Sequence, residues 1–440
     1  MNTRKSTRAR LMTVLAVSLV TALAGCAANA GGTSSTGATG KYVKPKSTIT
    51  ATITVDTAGG PEDSALYDAV TKRFNQDYPN VKVINNFSNS ASWVDYINKI
   101  LASVASGKAP DVITMATEGI EFGLSKDLFL PIDNYIKQDA SAQSLIKDIE
   151  PRLIDGFKKG GKTYLLPNNW NAMVIYYNTK MFKAAGIPRP SDDWTIDDFT
   201  AIAKKLTTGS GANKVYGFGI PSFTWALVPW LYSHGASFAS ADLKKPTLDS
   251  PAMVESLQYL QDLVLKDKVA PQPAGSDPYQ LFPAQKLAMT GGGSFMIVPL
   301  AQANFKDYDV LPWPKDKSQT SVYGASGVSI YKGSKNADLA WEYIKELAGQ
   351  KAQADNAKAR TNNPTTKTAE NSAEFLATPP EHASLLFKAL DIAKPIAAPT
   401  FYTTLEPAFQ RAFQKIMSGA DPYTELHKAN EEVKASLSNE

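Results

Sequence analysis

The chain has 440 residues, with 46 Lys and Arg against 42 Asp and Glu, three His and a single Cys. Arg4, Lys5, Arg8 and Arg10 account for the whole formal excess of +4, since 46 minus 4 leaves 42 cations against 42 anions. Without a basic surplus or a basic stripe interleaved with aromatics nothing neutralises phosphates, so no nucleic-acid partner is expected, and a single thiol excludes an intrachain disulfide or a multi-cysteine metal site.

The leader cations precede an uncharged run over 11–25, short for a bilayer span, which reads as an export signal. Cys26 directly follows Leu23, Ala24 and Gly25. Leu-Ala-Gly-Cys resembles the bacterial lipobox, which implies that Cys26 is acylated and that residues 1–25 are removed. Residues 26–47 are rich in Gly, Ala, Ser and Thr and then Lys and Pro. They cannot bury enough apolar surface to order themselves and read as a tether with a reach of about 25 Å. The remainder is long enough for two domains.

Over 48–55, Ile and Val alternate with Thr and predict a strand that ends in the loop Asp56-Thr57-Ala58-Gly59-Gly60. Leu66, Val70 and Phe74 recur at helical spacing until Pro79-Asn80, and 81–84 is a second strand. Trp93, Ile97, Ile100, Leu101 and Val104 mark another helix, closed by Gly107, before a third strand at Pro110-Asp111-Val112-Ile113. This alternation predicts a parallel α/β sheet, whose ligands bind outside the carboxyl ends of the strands. The loops after Asp56 and Ile113 are therefore candidate site walls. A second unit begins near Ala172, with a strand over 173–177, a helix opened by Thr195 and Asp198 and running to Leu206, and a strand over 215–220. Helices follow over 252–265, 336–347 and 405–417.

Enzyme signatures are missing. The chain has no G-x-S-x-G, H-E-x-x-H, Walker or G-x-G-x-x-G motif. His234, His382 and His427 share no metal-ligand spacing and read as structural. The pairs Asp192/Asp193, Asp197/Asp198 and Glu431/Glu432 are adjacent in sequence. They do not face one another across a bond as a glycosidase pair must, and the first two suit a helix start. Aromatics and amides, in contrast, cluster around loops: Trp93, Asn168-Asn169-Trp170-Asn171, Phe223-Thr224-Trp225, Trp230, Phe295, Trp313 and Tyr323. A pyranose offers an apolar face to an aromatic ring and a rim of hydroxyls to side chains that donate and accept in pairs.

With these residues in view, the sequence resembles the extracytoplasmic solute-binding proteins of bacterial ABC importers, in particular the carbohydrate-binding branch that includes the maltodextrin binders. The resemblance runs through Gly107-Lys108-Ala109-Pro110-Asp111-Val112-Ile113, Leu130-Pro131-Ile132-Asp133, Tyr164-Leu165-Leu166-Pro167 and Tyr176-Tyr177-Asn178. It continues through Phe182, Ala185-Gly186-Ile187-Pro188, Trp194-Thr195, Lys286-Leu287-Ala288-Met289, Gly327-Val328-Ser329-Ile330, Ser334-Lys335-Asn336 and Ala340-Trp341. It implies an α/β, two-lobe periplasmic-binding-protein type II fold with parallel and mixed sheets flanked by helices, and a hinge crossed more than once. Lobe one is expected over 48–170 plus 318–350, and lobe two over 171–317 plus 351–440.

By matched position, the resemblance implies that Glu118 accepts sugar hydroxyls and that Asn171 is a hinge-side polar contact, an amide where the maltodextrin binders have an acid. Phe295, after Gly291-Gly292-Gly293-Ser294, falls where the family often stacks a Trp, and Met115 falls where another aromatic is common. Trp225, Trp230 and Arg360 lie in segments that line the family's site. Trp170, Gly293, Trp93, Tyr323 and Asp56 complete the expected contacts. The implied protein is a monomeric, lipid-anchored receptor outside the cell membrane that takes up a carbohydrate without a cofactor or metal and hands it to ABC permease subunits. Two rivals stand beside this: a lipid-anchored carbohydrate-active enzyme, and the same fold binding a phosphorylated polyol, a polyamine or a peptide. A phosphate needs convergent cations, for which Arg360 is the candidate, so a neutral ligand is expected.

Overall fold

The computed structural model describes residues 42–60, 64–90 and 93–438; Cys26, the leader and residues up to 41 lie outside the described residues. The Ile/Val alternation forms β1 (Ala51–Ala58), with Ile53 and Val55 wholly buried. It leads into α1 (Ser64–Asp77), which buries Tyr67, Val70 and Phe74. β2 (Val81–Ser88), α2 (Trp93–Ala105) and the fully buried β3 (Val112–Ala116) follow. β1 lies between β2 and β3, parallel to both. A short helix, α3 (Ile120–Ser125), leaves the carboxyl end of β3.

β4 (Leu166–Ala172) and β5 (Val174–Asn178) are separated by Met173 alone, yet they belong to different sheets. β5 is the centre of a three-stranded antiparallel sheet with β6 (Met289–Gly292) and β7 (Tyr308–Leu311). The chain then returns. β8 (Ser321–Ile330) inserts antiparallel between β3 and β4, and β9 (Ala393–Lys394) pairs with its first two residues. The first sheet is thus mixed, because a strand arriving from the second sheet enters against the direction of β3.

The helices follow this division. α4 (Ile196–Leu206) carries the expected capping box, with Thr195 and Asp198 exchanging hydrogen bonds. α5 (Thr224–His234) and α6 (Pro251–Leu265) pack with α9 (Tyr402–Met417) and α10 (Pro422–Leu437) around a core containing Phe199, Phe218, Trp230 and Trp313. α7 (Ala337–Ala348) and α8 (Gln350–Ala359) pack on α1 over a separate core holding Ile53, Val55, Ile330 and Trp341. A third cluster runs from Ile113 and Met115 through Trp170 to Tyr176 and Tyr308, connecting the two sheets.

The strand expected over 215–220 is not one. Val215, Tyr216 and Gly219 make only isolated bridges, to Thr208, Leu287 and Thr290. A side chain at Gly217 would lie 2.0 Å from the Ala203 carbonyl, so this segment is pressed against the end of α4 and cannot sustain a ladder. Several of the aromatics and amides that cluster around loops in the sequence lie within regular elements. Asn168–Asn171 and Tyr323 are in strands β4 and β8, and Trp225 and Trp230 are in helix α5.

Candidate functional site

A cavity of about 340 Å³ opens where elements of both sheets meet, and its lining includes Trp93, Glu118, Asn171, Trp225, Phe295 and Glu406. Glu118 sits just past the carboxyl end of β3, where an α/β sheet usually presents ligand contacts. Hydrogen bonds hold that turn: Thr117 N donates to the Ala325 carbonyl at 2.9 Å, and the Thr117 hydroxyl donates to Glu118 Oε2 at 3.0 Å. Glu118 is 7 % exposed, and burial, reinforced by the Glu406 charge, raises its pKa to about 7 despite the Thr117 bond.

The opposite wall comes from α5, α9 and the turn after β6. Trp225 stacks on Phe223 with ring centres 6.4 Å apart and 15° between planes, and lies 6.4 Å from Phe295. Phe295 stands edge-on to Tyr279 at 5.7 Å. The Trp225 indole N–H is buried without a hydrogen-bond partner in the protein. A Cβ on Gly324 of β8 would lie 3.1 Å from both Glu118 Oε1 and Trp225 Nε1. The missing side chain is what lets carboxylate and indole reach over the same point of the strand. α9 contributes Tyr402 and Glu406 one helical turn apart. The Glu406 carboxyl is pushed upward by burial, against a hydrogen bond from Thr224. Thr224 in turn accepts from Gln410 at 2.7 Å.

Asn171 connects the walls. Its Nδ2 donates to Asn362 Oδ1 at 2.8 Å, and its Oδ1 accepts from Ser294 N at 3.0 Å and Ser294 Oγ at 2.6 Å. Gly293 allows this crossing, since a Cβ there would lie 2.9 Å from Asn171 Oδ1 and from the Phe295 ring. Asn169 and Asn171 line the cavity, whereas Trp170 between them faces the interior, as period-two alternation requires. Trp170 is fully buried, donates Nε1 to the Pro364 carbonyl at 2.8 Å and meets Phe387 edge-on.

Five other expected contacts do not line the cavity, Gly293 behind Phe295 among them. Trp230 lies five residues beyond Trp225, about 140° around the helix, and packs among Phe199, Phe218, Tyr259 and Trp313. Tyr323 points into an adjoining cavity and donates to the Arg152 carbonyl at 3.3 Å. Asp56, at the end of β1, accepts from Asn86 at 2.7 Å, and burial pushes its carboxyl up. Arg360 caps α8 in the left-handed region at φ 55°. Its Nε and Nη2 are buried without hydrogen bonds, and burial lowers its pKa. Met115 is fully buried beneath Gly119.

Glu406, Tyr402, Asn362 and Gly324 line the cavity without a sequence signal that singled them out. Glu406 falls on the helix expected over 405–417, whereas Tyr402 precedes that range and joins the site because α9 begins at Tyr402. Each histidine lies beside an aspartate: His234 by Asp316, His382 by Asp309 and His427 by Asp249. Two three-residue groups, Asp249/His427/Glu431 and Asp309/Glu381/His382, bring ligand atoms within 4.8 Å of one another, and neither lines the cavity.

Residues 57–354 match the sequence profile of the bacterial extracellular solute-binding protein family. A putative binding protein of Brucella abortus is 25% identical over 292 residues, covering 63% of this chain and 67% of its own length. The arabinooligosaccharide-binding protein of Bacillus subtilis is 24% identical over 296 residues, 63% of this chain and 65% of that protein. The ABC substrate-binding protein Lmo0181 of Listeria monocytogenes, solved in complex with cycloalternan, superposes with a TM-score of 0.79 at 25% identity. It covers 89% of this chain and 100% of that one. The chain has the two-lobe periplasmic-binding-protein type II fold of these solved structures.

Proposed function

Because the chain belongs to the bacterial extracellular solute-binding proteins, we propose that it captures a saccharide between its two lobes and presents it to the permease of an ABC importer. One observation carries this reading. Glu118, from the end of β3, faces Trp225, Phe295 and Glu406 of the other lobe across a single cavity of about 340 Å³. Carboxylates accept from sugar hydroxyls, and aromatic faces take the C–H side of a pyranose. The oligosaccharide binders among the relatives support the same class.

Contacts from both walls favour a closed arrangement, since a ligand shifts a two-state equilibrium only by its differential affinity for the two states. The hinge in this reading is the place where three crossings meet. Met173 N donates to the Val322 carbonyl at 3.1 Å, Ser321 Oγ donates to the Met173 carbonyl at 2.6 Å, and β9 pairs with Ser321 and Val322. Such short crossings absorb a rotation in a few dihedrals. Lobe one is 48–170 with 318–350, extended through α8 because that helix packs on α1 and α7; the remainder is lobe two. Cys26 anchors a monomer to the outer face of the membrane. No helix among the described residues is long and apolar enough to cross it.

The ligand leaves chemically unchanged. Titration against mono- and oligosaccharides by tryptophan fluorescence and calorimetry tests the reading. A member of the panel binds, and Glu118→Ala weakens it by about 1.5–3 kcal/mol, the value of a hydrogen bond to a charged group. Absence of binding across the panel, or unchanged affinity in that variant, overturns the site. Release of reducing ends from an oligosaccharide would establish an enzyme instead.

A further inference from the structure

Two acids face this cleft and no base does. Glu118 closes one wall and Glu406 the other, and among the described residues neither Lys nor Arg lines the cavity. Three cations border the adjoining cavity, Arg152, Lys159 and Lys394. Arg152 is paired with Glu150 at 2.9 Å and Asp391 at 3.0 Å, and Lys159 with Glu121 at 2.6 Å; Lys394 is exposed. The other titratable groups around the two carboxylates add no positive charge. They are Asp95 of α2, whose charge reaches Glu406, and the hydroxyls of Tyr232, Tyr323 and Tyr402, which feel Glu118.

We infer that the saccharide this cleft selects carries a protonated amine, seated between the carboxylates of Glu118 and Glu406. The inference rests on the saccharide reading above and narrows it. The shortage of cations excludes a phosphate, but it argues nothing against a positively charged ligand; two carboxylates with no cation beside them in the cavity argue for one. Bringing the buried Glu118 and the half-buried Glu406 to one cavity as anions is unfavourable unless a cation or a proton compensates them. An ammonium supplies three donors and a full charge where the cavity lacks both. The surrounding rings suit the same ligand, since Trp93, Trp225 and Phe295 attract a cation through their faces as well as stacking on a sugar. The unpartnered Trp225 N–H, beside Glu118 Oε1, is a donor for a ring or hydroxyl oxygen on that ligand.

The experiment compares glucosamine and galactosamine di- to tetrasaccharides with their N-acetylated and 2-hydroxy counterparts, by calorimetry on the full mature chain at pH 7.5. The free-amine series is expected to bind tighter than both counterparts by roughly tenfold to a hundredfold, the range for a hydrogen bond to a charged group. Glu118→Gln and Glu406→Gln each erase most of that preference while retaining a native circular-dichroism spectrum and cooperative melting. The preference also shrinks at pH 5.5, where Glu118 is protonated. Equal or tighter binding of the N-acetylated or hydroxy series overturns the inference and leaves the saccharide reading standing. Binding of spermidine with no saccharide bound overturns the saccharide reading, and so does silence across the whole panel.

Discussion

Replacing Glu118 by Gln is expected to stabilise the unliganded protein at alkaline pH and to do little at acid pH. Its carboxyl titrates at about 7 in the folded chain against an ordinary 4.5, because burial disfavours the anion. A carboxylate raised in this way holds a proton in the native state that the unfolded chain has already released. Stability therefore falls as pH rises from 4.5 through 7, and the loss is complete above the folded value. At 1.36 kcal/mol per unit, the penalty reaches about 3 kcal/mol at pH 8. Gln has no charge to bury and still accepts from the Thr117 hydroxyl, so its advantage over Glu is near zero at pH 4.5 and grows to about 3 kcal/mol at pH 8. Urea denaturation of both proteins at pH 5 and 8, followed by circular dichroism, reads this difference directly. An equal stability difference at the two pH values would refute the reasoning, and with it the claim that Glu118 faces a desolvated cleft. The same substitution removes the acceptor that the proposed ligand uses, so gained stability and lost affinity should appear together, as expected where a binding site is held at a cost to the fold.

Two tryptophans five residues apart should respond oppositely. Trp225→Ala weakens saccharide binding with little change in the melting temperature, whereas Trp230→Ala destabilises the fold by about 3–5 kcal/mol as a buried aromatic does, both read by calorimetry and thermal melting. Gly324→Ala puts a methyl 3.1 Å from Glu118 Oε1 and Trp225 Nε1; titration should show at least about tenfold weaker binding, the size of one lost hydrogen bond, with the melt nearly unchanged. Asn171→Ala removes the bridge to Ser294 and Asn362. It should loosen the turn that carries Phe295 and weaken saccharide binding by up to about tenfold, the size of a lost hydrogen bond, and unchanged affinity by calorimetry would remove Asn171 from the contacts that shape the site.

The alternation of strands and helices was legible from residue 48 to Ile113 because α1, β2 and α2 each keep an exposed face, so the period of their apolar residues reports their geometry, while the fully buried β3 shows as a short apolar run after Pro110. That pattern also marked the loop after Ile113 as a site wall, and the family resemblance singled out Glu118 within it. The capping box at Thr195 and Asp198 was equally legible, since its two hydrogen bonds are local. α5 was not. Most of its side chains are buried, including Trp230, Leu231 and Pro229 inside the helix, so apolar residues occur all round it and no period survives. The destination of β8 was also invisible, because pairing between β3 and β4 is decided by contacts with residues more than a hundred positions away. The cavity belongs to the same category. Local sequence determined β1, β2, β3 and the helices between them, and with them the strand end beyond which Glu118 lies. Only the packing of α5 against β8 and the arrival of α9 at the same cavity decided that Glu406, Trp225 and Gly324 would meet it there, since long-range contacts depend on how whole faces fit together.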